Sequence, residues 1–252
     1  MLLWQTGFRY PLFVELTEQD EDDQAPRRPE AESVATRAII LSVVSCRAFT
    51  SQEPENSGAA SLAKKSYEWL RAIGLDESLT EWERQILTAP FGSLKDRDII
   101  DGSWLSEAVN VLAWALGKRD LPAFDEQCDP AEAADSLGFL QPTEQTCLNK
   151  PGLLRSDELD SYNEFIYNLH WRIRDFSLHN RWYNCSNLFA ETARKYGLKI
   201  IDHDLCISGK PISDSAEADW RPVLSITRER HRASNWLVGY DSEDFYEVGT
   251  DT

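Results

Sequence analysis

Between Ser156 and Leu178 the residues Leu159, Tyr162, Ile166, Leu169, Ile173 and Phe176 recur three and four positions apart. A strand would scatter that set over both of its faces, whereas a helix gathers it on one, so the spacing predicts a long helix buried along one side. Asp157, Glu158 and Asp160 stand at its start, where the helix dipole is positive. The same period organises most of the chain upstream. Val34, Ala38, Leu41 and Ser45 share a face that Ile40 and Val44 widen, and Leu62, Trp69, Leu70 and Ile73 form a second stripe, closed by Gly74. Thr80 and Glu83 have the spacing of a capping box, and the helix they open ends at Ala89-Pro90. A fourth helix is expected over residues 103–116, stopped by Gly117, with Lys118 and Arg119 at the negative end of its dipole. Asp129-Pro130 opens another, residues 186–196 suggest a further one, and residues 222–238 form the last, ended by Gly239.

Strand-like patterning is confined to two places. The run YPLFVEL at residues 10–16 suggests a short strand, and LKII with DLCISGKPI suggests a small hairpin between residues 198 and 213. The expected fold class is mainly α: a compact multi-helix single domain over residues 30–252 with a small β-hairpin. Residues 1–29 read as a short N-terminal strand or strap followed by an acidic linker.

The chain of 252 residues is 42% hydrophobic and carries nine tryptophans, enough to bury a sizeable core. Its formal charge of −17 opposes nucleic-acid backbones and anionic membrane surfaces, so neither is expected as a partner. No stretch approaches the roughly 18 consecutive apolar residues of a membrane-spanning helix. The opening MLLWQTGFRYPLFVEL lacks a signal peptide's basic head and cleavage site, and the five scattered cysteines contain no C-x-x-C. A cytoplasmic protein with reduced thiols is the expectation. The acidic excess is uneven: residues 172–232 hold eight arginines and three lysines against eight acidic residues, an excess of three positive charges.

Three ionisable residues sit on apolar helical faces. Glu107 lies between Trp104 and Val111, Arg230 interrupts the stripe of Val223, Ile226, Ala233 and Leu237, and Arg37 precedes Ile40, Leu41 and Val44. A buried carboxylate without a partner costs several kcal/mol, and a guanidinium compensates best, so Glu107 is expected to pair with Arg230, or failing that Arg37. A structural ion pair and a catalytic carboxylate are both open at this point. Thr227, His231 and Ser234 share one helical face with Asn235 beside them, but no strained Gly-x-Ser-x-Gly turn exposes a nucleophile. Cys185, His203, Cys206 and His179 are spaced too irregularly for a zinc site, and no phosphate loop or H-E-x-x-H occurs. No metal and no cofactor are expected.

The blocks SWLSEAVNVLAWALG, LLRSDELDSYNEFIYNLHWRIRD and TRERHRASNWLVGYDSEDFYEVGTDT, preceded by TRAIIL, resemble the uncharacterised bacterial domain-of-unknown-function family numbered 4272 from about residue 33 onward. The resemblance marks Arg37, Trp104, Glu107, Arg155, Trp171, Arg174, Glu229, Arg230, His231, Asn235, Trp236, Asp251 and Thr252, and it brings no activity with it. Phe245 and Tyr246 stand where many members have a tryptophan, and residues 181–218 are longer than in a compact member. The expected function is a non-enzymatic binding or regulatory module for a basic protein partner or an anionic small molecule. Its polar site would lie around the Glu-Arg-His helix, with Arg37, Glu107, Arg155, Arg174, Glu229, Arg230, His231, Asn235 and Asp251 as candidates. The alternative is a hydrolase-type enzyme acting on an anionic small molecule through the same Arg/Glu/His/Asn cluster. The closing GTDT is expected to be tied down by Arg174 and Arg228 and to cover Trp171 and Trp236.

Overall fold

Every residue from Ala38 to Val44 is withdrawn from solvent, the most exposed of them, Ser42, at 2%. A helix buried on one side cannot do this, so the middle of the first helix, α1 (Ala31–Thr50), is enclosed all round. The sequence reads it as one-sided; its unbroken AIILSVVS run is the reason it is not. By length and mean hydropathy, 1.3, α1 also meets the composition of a membrane span, and here it is packed by α2 (Ala59–Ala72), α3 (Glu81–Thr88), α4 (Asp96–Ala115) and α5 (Pro130–Ser136). The computed structural model describes residues 27–54 and 57–252. The strand expected at residues 10–16 and the acidic segment after it lie outside the described residues.

The closest helix pairing is α1 with α4. Gly102 permits it: a β-carbon there would stand 2.8 Å from the Ala48 β-carbon, closer than atoms pack. The other face of α4 meets α8 (Glu217–Val238), which in turn packs on α6 (Ser156–His179), the long helix of the amphipathic pattern. The main layers therefore run α1, α4, α8, α6 around one hydrophobic core.

Helix starts differ from the sequence expectation where capping is cryptic. α4 begins at Asp96, seven residues before residue 103, with Asp96 and Asp98 favourably placed in its first turn. α8 begins at Glu217, where the Asp219 carboxylate accepts the Ala216 N–H at 3.2 Å, and Pro222 lies inside the helix, where it has no N–H to give the Ala218 carbonyl. The Thr80–Glu83 capping box is present in both directions. The helix expected over residues 186–196 shrinks to α7 (Thr192–Lys195), preceded by turns.

The expected hairpin is a three-stranded antiparallel sheet: β1 (Ile200–Ile201), β2 (Asp204–Ile207) and β3 (Lys210–Pro211). Two-residue turns join the strands, Asp202-His203 and Ser208-Gly209, and all four residues have positive φ, as tight hairpin turns of the primed types require. The Ser-Gly turn is the one expected from the sequence between residues 198 and 213.

Candidate functional site

Glu107 is fully buried on α4, and its Oε2 accepts a 2.8 Å hydrogen bond from Arg230 Nε on α8. The pairing expected from the two apolar stripes is thus present, and Arg37 is not part of it. The remaining bonds of the pair turn toward the chain between α4 and α5. Arg230 donates from Nη1 and Nη2 to the carbonyls of Ala123 and Glu126 at 3.1 and 2.7 Å, and Glu107 Oε1 accepts from the Cys128 N–H at 2.8 Å. All three guanidinium nitrogens donate, and both carboxylate oxygens accept. Burial and the Glu107 charge together push the adjacent Cys128 thiol up to about 12.

At the next residue of α8, His231 approaches His170 of α6 Nδ1 to Nδ1 at 3.0 Å, with 1% and 3% of the two residues exposed. A hydrogen bond at that distance needs one Nδ1 protonated and the other bare. Burial holds His231 down at about 4, and burial, then His231, Arg174 and Arg228, hold His170 at about 3. Asn235 continues the same helix face. Its Oδ1 accepts from Asn163 at 2.7 Å, and its Nδ2 donates to the Gly249 carbonyl at 2.8 Å.

The closing segment is held at that point, and Asp241 also accepts the Gly249 N–H, at 3.1 Å. Arg174 reaches the Thr252 hydroxyl only at 3.5 Å, whereas Arg228 turns instead to Glu229. Trp236 is covered by residues that precede that segment: its ring meets Phe245 edge-on and its indole N–H donates to the Glu243 carbonyl at 2.9 Å. Trp171 lies elsewhere, against Tyr183.

The remaining candidates fall into separate places. Arg37 pairs with Glu83 at 2.6 Å, and the Tyr246 hydroxyl donates to the same Oε1 at 2.8 Å. Glu83, read from the sequence only as a cap, is fully buried and joins α1, α3 and the segment after α8. Burial and then the Glu83 charge push the Tyr246 phenol well above its ordinary value. Glu229 is buried between Arg228 and Arg232, at 3.0 and 2.9 Å. Arg155 does not join any of these groups: it is exposed and pairs with Asp157 beside it. Asp251 is exposed as well.

Another buried ion pair escaped the sequence altogether. Arg172 and Asp204, both 0% exposed, meet in two parallel hydrogen bonds of 2.8 and 2.7 Å that fix β2 to α6. The Cys185 thiol donates to the same carboxylate at 3.1 Å. Burial alone would raise the Asp204 carboxyl; the Arg172 hydrogen bonds override it and hold it below its usual value. Among the described residues, no three His, Cys, Asp or Glu side chains converge as metal ligands would.

A further concavity lies on the other side of α4. Between α1, α2, α4 and α5 opens a cavity of about 450 Å³, walled mainly by apolar groups of Phe49, Leu62, Val109, Pro130, Ala134 and Phe139. Four small hydroxyl residues, Ser42, Ser45, Thr50 and Ser106, interrupt the walls, and Cys46 stands among them. The clasp positions one wall. The Cys128 N–H held by Glu107 immediately precedes Asp129, whose carboxylate caps α5 by accepting from Ala131 and Glu132 at 2.8 and 3.1 Å. Glu107 and Arg230 therefore act on the cavity indirectly, by seating α5.

No curated protein and no solved structure matches the chain. A family model described as Domain of unknown function (DUF4272) matches residues 1–248, nearly the whole length, and the chain belongs to that family.

Proposed function

We propose that this chain is a non-enzymatic binding module whose ligand, a small and mainly apolar neutral molecule, occupies the cavity between α1, α4 and α5. One contrast supports it. Arg230 and Glu107 spend their hydrogen bonds on each other and on nearby backbone, while the cavity between α1, α4 and α5 is mainly apolar and within the size range of small-molecule sites. Asp129 and Asp135 line the cavity and the chain carries −17 overall, which disfavours an anionic occupant. A hydrolase working through the Arg/Glu/His/Asn cluster has weaker support, because His231 is 1% exposed and Glu107 faces Arg230 rather than an opening.

The test is a fluorescence titration with the neutral apolar dye N-phenyl-1-naphthylamine. The parent should bind it saturably. Ala131→Trp, placed at an exposed position that lines the cavity, should abolish the enhancement while leaving the helical circular dichroism intact. Equal binding by parent and variant, or no saturable binding by the parent, would overturn the proposal.

A further inference from the structure

Hydroxyl side chains inside helices ordinarily bond back to a carbonyl one turn earlier. Three of those in the cavity wall do so: Ser42 to Ile39 at 2.7 Å, Thr50 to Cys46 at 2.8 Å and Ser106 to Ser103 at 2.9 Å. Ser45 does not. It is 3% exposed, and its Oγ has no hydrogen-bond partner among the described residues. A buried hydroxyl left unpaired costs free energy that a ligand's polar atom can recover, and the surrounding wall offers that ligand mainly apolar contact.

We infer that Ser45 is the polar anchor of the cavity, and that the ligand class is an apolar molecule carrying one hydroxyl or carbonyl oxygen that pairs with Ser45 Oγ. This rests on the cavity being the binding site. The apolar body would be gripped by shape and the oxygen by one hydrogen bond, the usual division of labour in small-molecule pockets. Neither oxygen type requires a charge, in keeping with the acidic surroundings.

The experiment uses two probes of nearly the same shape, 1-naphthol and naphthalene, on the full chain and on Ser45→Ala. One hydrogen bond of ordinary strength corresponds to about three- to tenfold in affinity. Ser45→Ala should weaken 1-naphthol by about that factor and leave naphthalene unchanged. Cys46→Ala, a control at a neighbouring lining position, should preserve the preference for 1-naphthol. If Ser45→Ala changes both probes equally, or neither, Ser45 is not the anchor although the cavity binds. If the parent binds neither probe, the binding-module proposal fails and the anchor with it.

Discussion

Arg230 on α8 and Glu107 on α4, separated by 123 positions in sequence, meet at 2.8 Å in a fully buried hydrogen bond that also pins residues 123–128. Removing one member leaves the other charged, buried and unpartnered. Glu107→Ala should therefore destabilise the protein by about 3–5 kcal/mol in urea unfolding. Arg230→Met in the same background should recover part of the loss, since no unpaired charge then remains. A Glu107→Ala variant that unfolds like the parent would show that the pair does not hold α5 in place.

The histidine pair predicts an acid-sensitive fold. Both imidazoles titrate lower in the folded protein, at about 3 and about 4, than the ordinary value near 6.5 in the unfolded chain. The unfolded state therefore binds more protons between these limits, and stability falls as pH drops through that window. The slope is at most about 1.4 kcal/mol per pH unit for each ring. The double variant His170→Phe/His231→Phe should lose less stability than the parent between pH 6.5 and pH 4 in thermal unfolding. Parallel curves for the two proteins would contradict this.

Tyr246 donates to a carboxylate, Glu83, that is completely buried and shared with Arg37. Tyr246→Phe removes one charge-assisted hydrogen bond without creating a cavity, at a cost of about 2 kcal/mol by denaturant titration. An unchanged unfolding midpoint would mean that Arg37 alone satisfies Glu83.

Deleting residues 249–252 removes the carbonyl that accepts from Asn235 and the Gly249 N–H held by Asp241. The expected result is a lower Tm, with Asn235→Ala reproducing part of the drop. Equal Tm values for the truncated and parent chains would show that the closing residues do not brace α6 and α8.

Glu107 and Arg230 were legible in the sequence because a charge inside an apolar stripe has nowhere to go except toward another such charge. Arg172 and Asp204 gave no such sign. Arg172 stands in the mixed segment HWRIRD, and Asp204 follows a turn, so neither interrupts a clean stripe; their burial depends on how β2 docks against α6. Glu83 was visible as a cap, and only the docking of Tyr246 and Arg37 makes it a buried junction. Arg155, placed by family resemblance with the polar candidates, belongs to an exposed helix start. The cavity could not be read in advance. Its volume is what remains between α1, α4 and α5 after their side chains pack, and no periodicity in one helix encodes that gap.

Diffraction from crystals soaked in iodobenzene tests the central claim most directly, because iodine scatters anomalously and the molecule is neutral and apolar. The account predicts an iodine peak inside the cavity, among Phe49, Val109, Ala134 and Phe139. An empty cavity, with iodine bound only at surface positions or not at all, would contradict it.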